Sequence, residues 1–280
     1  MFFYIVRKHK GMKVSGGLVK MEVSIEKSSS VVRYGLLLGG KRVEMNALIG
    51  RHIQISWSGT IRCLSCGGLT ITSYGQGYCY PCFISIPETE PCILRPELCR
   101  AHEGVARSME WATSHCLQPH YVYLALSGGL KVGVTRKTQV PTRWIDQGAS
   151  SAICIAELPN RYLAGTLEVA LKANFSDKTD WRKMLLGVVH EGIDLMEQRE
   201  RARILFPANH APFFLPNNNV FEIRYPVEEY PTSIVSSSFD KDKTVEGILT
   251  GIRGQYLMFD GQKVINLRTF SGYEVVFETE

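Results

Sequence analysis

Apolar and polar residues alternate along four short runs near the start of the chain. These are LVKMEVSIE (18–26), SVVRYGLLLG (30–39), KRVEMNALIG (41–50) and HIQISWSG (52–59), punctuated by glycine and serine. A period of two gives a strand one apolar face, so the pattern predicts a small antiparallel β unit of about four strands whose leucines and aromatics form a core. The next stretch lacks this period and is marked by cysteines, with a short helix expected from Glu103 to Ser114. Alternation returns at His120. Tyr121 to Leu126 is an apolar and aromatic run, Ser127, Gly128 and Gly129 turn the chain, and Leu130 to Thr135 runs back, which predicts a hairpin. Pro141 suits a first helical turn and predicts a helix start.

Further along, Ser151 to Pro159 reads as a strand. Leu163, Leu167, Ala170 and Leu171 set a helical period over Arg161 to Ala173, with Glu168 beside the apolar stripe. DKTDWRKML opens another helix, with Asp177 or Thr179 as its cap, and Gly187 to Leu205 continues helically with a charged face. The proline and asparagine run 207–219 reads as a linker. VFEIRYPV, GILTGIRGQYLMFD, GQKVINLR and GYEVVFE are strands again, with Asp260-Gly261 as a two-residue turn. The fold class is α+β: a β unit built from both ends (residues 1–60 and 220–280), a zinc-binding insertion (61–118), a central α/β domain (119–206) and the linker.

Composition adds few constraints. With 45% hydrophobic and 21% charged residues the chain falls in the ordinary globular range. A net charge of +5 and a pI near 8.7 are compatible with a polyanionic partner without singling one out. In MFFYIVRKHKG the apolar run is too short for a signal-peptide core and its basic residues follow it, and no run approaches the roughly 20 apolar residues of a membrane helix. The expectation is a cytoplasmic protein without a membrane partner. In that compartment eight cysteines read as metal ligands rather than disulfides.

Cys63, Cys66, Cys79 and Cys82 are spaced C-x2-C-x12-C-x2-C, and four thiolates close a tetrahedral zinc site with a structural role. Gly67 and Gly68 allow the backbone turns that aim amides at sulfur. Cys92, Cys99 and His102 supply three ligands of a second zinc, with Cys116 as the expected fourth and His115 as its competitor. Cys154 stands alone in a strand and reads as core. Arg136 and Lys137, with Trp144 and Trp181 nearby in sequence, mix cations with aromatics as nucleic-acid binding requires, for DNA or RNA alike.

Tyr123 on one hairpin strand, Lys131, Val132 and Gly133 on the other, Arg143 ten residues beyond that glycine, and Glu168 on a later helix together resemble the GIY-YIG nuclease module, in a variant with lysine in its second motif. Tyr121 stands where the first motif has glycine, and Gln147 where many members have histidine. The resemblance implies a GIY-YIG-like central domain hydrolysing phosphodiesters with magnesium or manganese. In it Tyr123 would serve as base or orienter, Glu168 as metal ligand and Arg143 as phosphate clamp. Lys131 would position, lower the pKa of Tyr123, or contact phosphate. From the cysteine block onward the chain is also similar to a zinc-binding bacterial family of unknown function. The expected function is therefore metal-dependent cleavage of nucleic acid. The alternatives are a DNA- or RNA-binding zinc protein without catalysis and a scaffold whose zinc groups face a protein partner.

Overall fold

The structure is a computed structural model that describes residues 11–26, 30–188, 192–216 and 219–280. Its first strands are β1 (Lys13–Gly17), β2 (Glu22–Ile25), β3 (Val32–Leu38), β4 (Lys41–Glu44) and β5 (His52–Arg62). The run 41–50 is only half strand, because Met45–Leu48 forms a 3-10 turn. Asn46 in that turn does the work of a strand neighbour: its Oδ1 accepts from Tyr34 N at 2.8 Å and its Nδ2 donates to Val32 O at 2.8 Å.

The cysteine block contributes β6 (Leu69–Thr70), α1 (Tyr80–Ser85) and α2 (Met109–His115). The expected helix from 103 to 114 is thus shorter. Ala101–Glu103 is a single 3-10 turn ended by Gly104 at φ 79°, and α2 starts afresh where Ser108 Oγ accepts from Trp111 N.

The centre comprises β7 (His120–Leu126), β8 (Leu130–Arg136), α3 (Thr142–Asp146), β9 (Ser151–Leu158), α4 (Arg161–Leu171), α5 (Trp181–Leu185) and α6 (Leu195–Ile204). The cap of α5 is Asp180, whose Oδ1 accepts from Lys183 N at 3.1 Å, rather than Asp177 or Thr179. Of the helical stretch expected over 187–205, α6 is the described helix, begun by Asp194; residues 189–191 lie outside the described ones. The chain ends with β10 (Phe221–Glu222), β11 (Val235–Ser236), β12 (Thr244–Arg253), β13 (Tyr256–Phe259), β14 (Lys263–Asn266) and β15 (Tyr273–Thr279). Asp260 and Gly261 both take positive φ, 51° and 67°, and Gln262 N donates to Phe259 O, so the expected turn forms between β13 and β14.

The large sheet runs β1-β15-β5-β12-β13-β14-β11, interleaving strands from both ends of the chain. Inward residues of β5 and β15 pair directly, Ile55 against Phe277, so the two termini share one core. A second sheet, β10-β9-β7-β8, has two buried faces. Val122, Leu124, Ile153 and Ile155 pack with Ala164, Leu167 and Leu171 of α4, while Tyr123, Ala125 and Cys154 point into the core shared with the terminal β unit. This double burial explains why β7 is almost continuously apolar. A third sheet is β2-β3-β4. The run 207–216 of the expected linker lies along the central sheet, with Leu215 N donating to Ile155 O at 3.0 Å.

The cysteine block meets the centre at Gly165 of α4, where a Cβ would stand 2.2 Å from Glu97 N. Alanine gains about 1 kcal/mol over glycine in an open helix, but overpacking costs about 1–3 kcal/mol. Gly165→Ala is accordingly expected to lower Tm in thermal unfolding; a raised Tm would contradict this contact.

Candidate active site and metal centres

The tyrosine and the glycine of the hairpin face each other, Tyr123 paired with Gly133. A Cβ on residue 133 would lie 2.6 Å from Tyr123 Oη, so glycine is what leaves room for the phenol. Tyr123 is fully buried. Its hydroxyl lies 2.7 Å from the Gln147 amide, which reaches the Arg143 guanidinium at 3.2 and 3.3 Å. With its oxygen toward Arg143 and its NH2 toward Oη, the amide satisfies both neighbours. The result is a relay, Tyr123 to Gln147 to Arg143, along one side of α3. Burial raises the phenol's pKa against the opposing charge of Arg143, so Tyr123 is a neutral hydroxyl at ordinary pH.

Lys131 and Glu168 adjoin this relay. Val132 N donates to Ser176 O, which lays residues 176–179 beside β8 and brings Thr179 Oγ1 to 3.4 Å from Lys131 Nζ. Burial holds the Lys131 ammonium down to about 8, assisted by Arg143 and opposed by Glu168 and Asp177. Burial likewise raises the Glu168 carboxyl, with Lys172 opposing. Lys172 Nζ lies 3.5 Å from Glu168 Oε2 and 3.2 Å from Asp177 Oδ2, so it bridges two carboxylates. Lys131 thus contacts Thr179 and Glu168 contacts Lys172, while the charge of Arg143 acts on Lys131 and that of Glu168 on Tyr123.

Arg143 also lines a cleft of about 190 Å³ at the seam where the N-terminal unit, the cysteine block, the centre and the C-terminal unit meet. Lys20 enters it from the N-terminal unit, Arg136, Arg161 and Arg143 from the centre, and Arg268 from the C-terminal unit. Asp146, the acid among its lining residues, accepts from Lys20 Nζ at 2.8 Å and Gln255 Nε2 at 2.9 Å, and so holds the seam together. The lining of the cleft is strongly cationic.

The expected nucleic-acid contacts divide. Arg136 lines the cleft. Lys137 instead pairs with Glu157, at 2.9 and 3.1 Å. Trp144 is 3% exposed, packed against Tyr123 and Phe221, and cannot stack on a base. Trp181 stacks on Tyr256. Lys20, Arg161 and Arg268 were absent from the sequence reading, since nothing local in their segments marks them as neighbours.

Both cysteine groups assemble. The ligand atoms of Cys63, Cys66, Cys79 and Cys82 lie within 4.8 Å of one another, as do those of Cys92, Cys99 and Cys116. Gly68 N approaches Cys66 Sγ at 3.4 Å. Although burial opposes it, backbone N–H groups of Cys66, Cys79 and Ser65 hold the Cys63 thiol down to about 6, while the hydrogen bond with Cys79 pushes the Cys82 thiol up to about 12. Both groups could hold metal ions and are compatible with structural zinc. The structure brings three of the four expected ligands of the second set together. His102 is outside the group, stacked on Tyr162 with ring centroids 4.3 Å apart, because its side chain follows the turn 101–103 toward α4. The competitor His115 stacks on Trp111 at 4.0 Å and its Nδ1 contacts Trp111 O at 3.0 Å. Cys116 does join. Cys154 is buried in β9, as expected of core.

The model of a family described as "Protein of unknown function (DUF2797)" matches residues 50–275, and the chain belongs to that family. No curated protein and no solved structure matches it. Among the described residues, no helix is long and apolar enough to cross a membrane.

Two measurements follow from the geometry. Elemental analysis should find two metal ions per chain, one for each cysteine group, and Cys99→Ser should lose one of them; a wild-type value of one would remove the second centre. Because the Lys131 pKa is about 8 folded against 10.5 unfolded, its charge penalises the fold below about pH 8, and the penalty fades as pH rises to 10.5. Lys131→Met should raise Tm at pH 7, with a gain that shrinks toward pH 10. A gain independent of pH would contradict a buried ammonium.

Proposed function

We propose that this protein is a GIY-YIG-type endonuclease that cuts the phosphodiester backbone of nucleic acid with magnesium or manganese. The observation that supports this most is the hydrogen-bonded relay from Tyr123 through Gln147 to Arg143, an arginine that also lines a cationic cleft, with the charges of Lys131 and Glu168 close enough to act on it. Five residues scattered over 46 positions of sequence, from Tyr123 to Glu168, have no packing reason to gather there, since an apolar set of the same volume would be cheaper to bury.

In this reading the backbone lies along the seam, with phosphates against Lys20, Arg136, Arg161 and Arg268. Arg143 donates to the non-bridging oxygens of the scissile phosphate, where charge accumulates as water attacks. Gln147 fixes the guanidinium, and Tyr123, a neutral phenol, fixes Gln147. That assigns Tyr123 as orienter rather than base. Lys131 can release and regain a proton near neutral pH, so its amine is suited to take the proton of the attacking water. The phosphorus–oxygen ester bond breaks, and the leaving oxygen takes a proton from solvent.

Glu168 would hold the divalent cation, which supplies charge stabilisation at the leaving oxygen. The fit is chemical. Magnesium takes one or two carboxylates and keeps its waters, Glu168 is a buried carboxylate, and its partner Lys172 is a lysine at 3.5 Å that a cation can displace. Burial of Glu168 at 8% exposure, together with that lysine, favours a second reading in which the cleft grips nucleic acid without cutting it.

Labelled single-stranded, duplex and branched DNA and RNA, incubated with either metal, separate the two. Metal-dependent cutting is expected, reduced at least about 100-fold in Arg143→Ala and in Glu168→Gln. Salt-sensitive binding without cutting, unchanged in Glu168→Gln, would establish the second reading instead.

A further inference from the structure

The two cysteine groups differ in how they are closed. The first has four sulfurs, the full tetrahedral set of a structural zinc. The second has three, and among the described residues no histidine or carboxylate donor lies within 4.8 Å of all three sulfurs. His102 and His115 are engaged elsewhere, as shown above, and His120, whose Nδ1 meets Gln118 O and whose Nε2 is buried without a partner, lines the cationic cleft rather than the cavity of the three sulfurs. Three thiolates on a tetrahedral ion leave one direction to be filled.

That direction has somewhere to go. Cys92, Cys99 and Cys116 all line a cavity of about 290 Å³, whose other walls include Glu90, Val105 and Ala106. Ala106 offers a methyl group and no donor atom. Glu90 offers more. Its Oε1 accepts from Arg107 N at 3.1 Å, while its Oε2 is buried without a hydrogen-bond partner. A buried acceptor left unsatisfied costs about 1–3 kcal/mol, and more for a charged group. A metal-bound water would supply the missing hydrogen. The charge also balances: a divalent ion with three thiolates carries one negative charge, and the buried Arg161 donates to Cys92 O at 3.2 Å.

We propose that Cys92, Cys99 and Cys116 hold a metal ion whose fourth ligand is exchangeable water hydrogen-bonded to Glu90, so that this centre takes small exogenous ligands, thiols above all, from the cavity. The first centre, with its four sulfurs, cannot. This centre is then a reactive or regulated position rather than a second staple, and it is separate from the proposed nuclease group.

The test uses the full chain with zinc replaced by cobalt(II), whose visible spectrum reports ligand number and type. Titration with 2-mercaptoethanol or cyanide is expected to shift the bands of one cobalt per chain and leave the other unchanged. Ala106→Cys places a fourth thiol on the cavity wall; it should retain both ions, strengthen sulfur-to-cobalt charge transfer, and lose the response to added ligand. The wild-type titration decides the matter even if that variant fails to fold. Binding of one cobalt only, no spectral response, a response of both ions, or a response that survives Ala106→Cys would each overturn the proposal.

Discussion

A single buried cation, the guanidinium of Arg161 at the start of α4, joins regions that the sequence keeps apart. Its backbone N–H donates to Cys116 O at 2.8 Å and its Nη1 to Cys92 O at 3.2 Å, so it grips the three-cysteine group from two sides. It is 8% exposed and also lines the cationic cleft. An isolated buried cation is expensive, and the Cys92 carbonyl that accepts from its guanidinium offsets part of that cost. The packing of Cys92 and Cys116, the seating of the cysteine block on α4 at Gly165, and the shape of the cleft thus depend on one another.

A comparable clamp secures the other side of the seam. Asp146 takes Lys20 from the N-terminal unit and Gln255 from the C-terminal unit, and Gln255 in turn bonds both backbone groups of Met21. Arg253 Nε donates to Gly148 O and Tyr225 Oη to Ala149 O, at 3.0 and 2.8 Å. The segment RWIDQGA is therefore held from both ends of the chain, which positions Arg143 and Gln147 against Tyr123. The proposed chemistry follows from this. Rigid support around a guanidinium is what lets it stabilise developing charge without reorganising.

Where one periodic face does the folding, sequence sufficed. β5 and β12 follow their alternation, β7 and β8 their apolar runs about the glycine turn, α4 its stripe, and the Asp260-Gly261 turn its two positive φ values. The four-cysteine group was legible because its spacing alone brings the ligands together. What was missed depends on partners far away. β1 is a polar strand that exists because Lys13 to Gly17 pair with Glu278 to Glu274 of β15. Asn46 ends β4 by bonding to β3, and Asp180 rather than Asp177 caps α5. Trp144 looked like a base-stacking residue because alternation cannot report that β7 is buried on both faces. His102 had ligand spacing, yet its ring settled on Tyr162 of α4, some 60 residues away. The cleft was invisible for the same reason: Lys20, Arg161 and Arg268 meet only in three dimensions.

The central claim is that a phosphodiester backbone follows the cationic seam and presents one phosphate to Arg143. The most direct measurement is a crystal structure of Glu168→Gln with an uncleaved oligonucleotide. The account predicts phosphates along Lys20, Arg136, Arg161 and Arg268, and one phosphate bonded to Arg143 beside Gln147 and Lys131. An oligonucleotide bound away from the seam, with Arg143 still bonded only to Gln147, would contradict it.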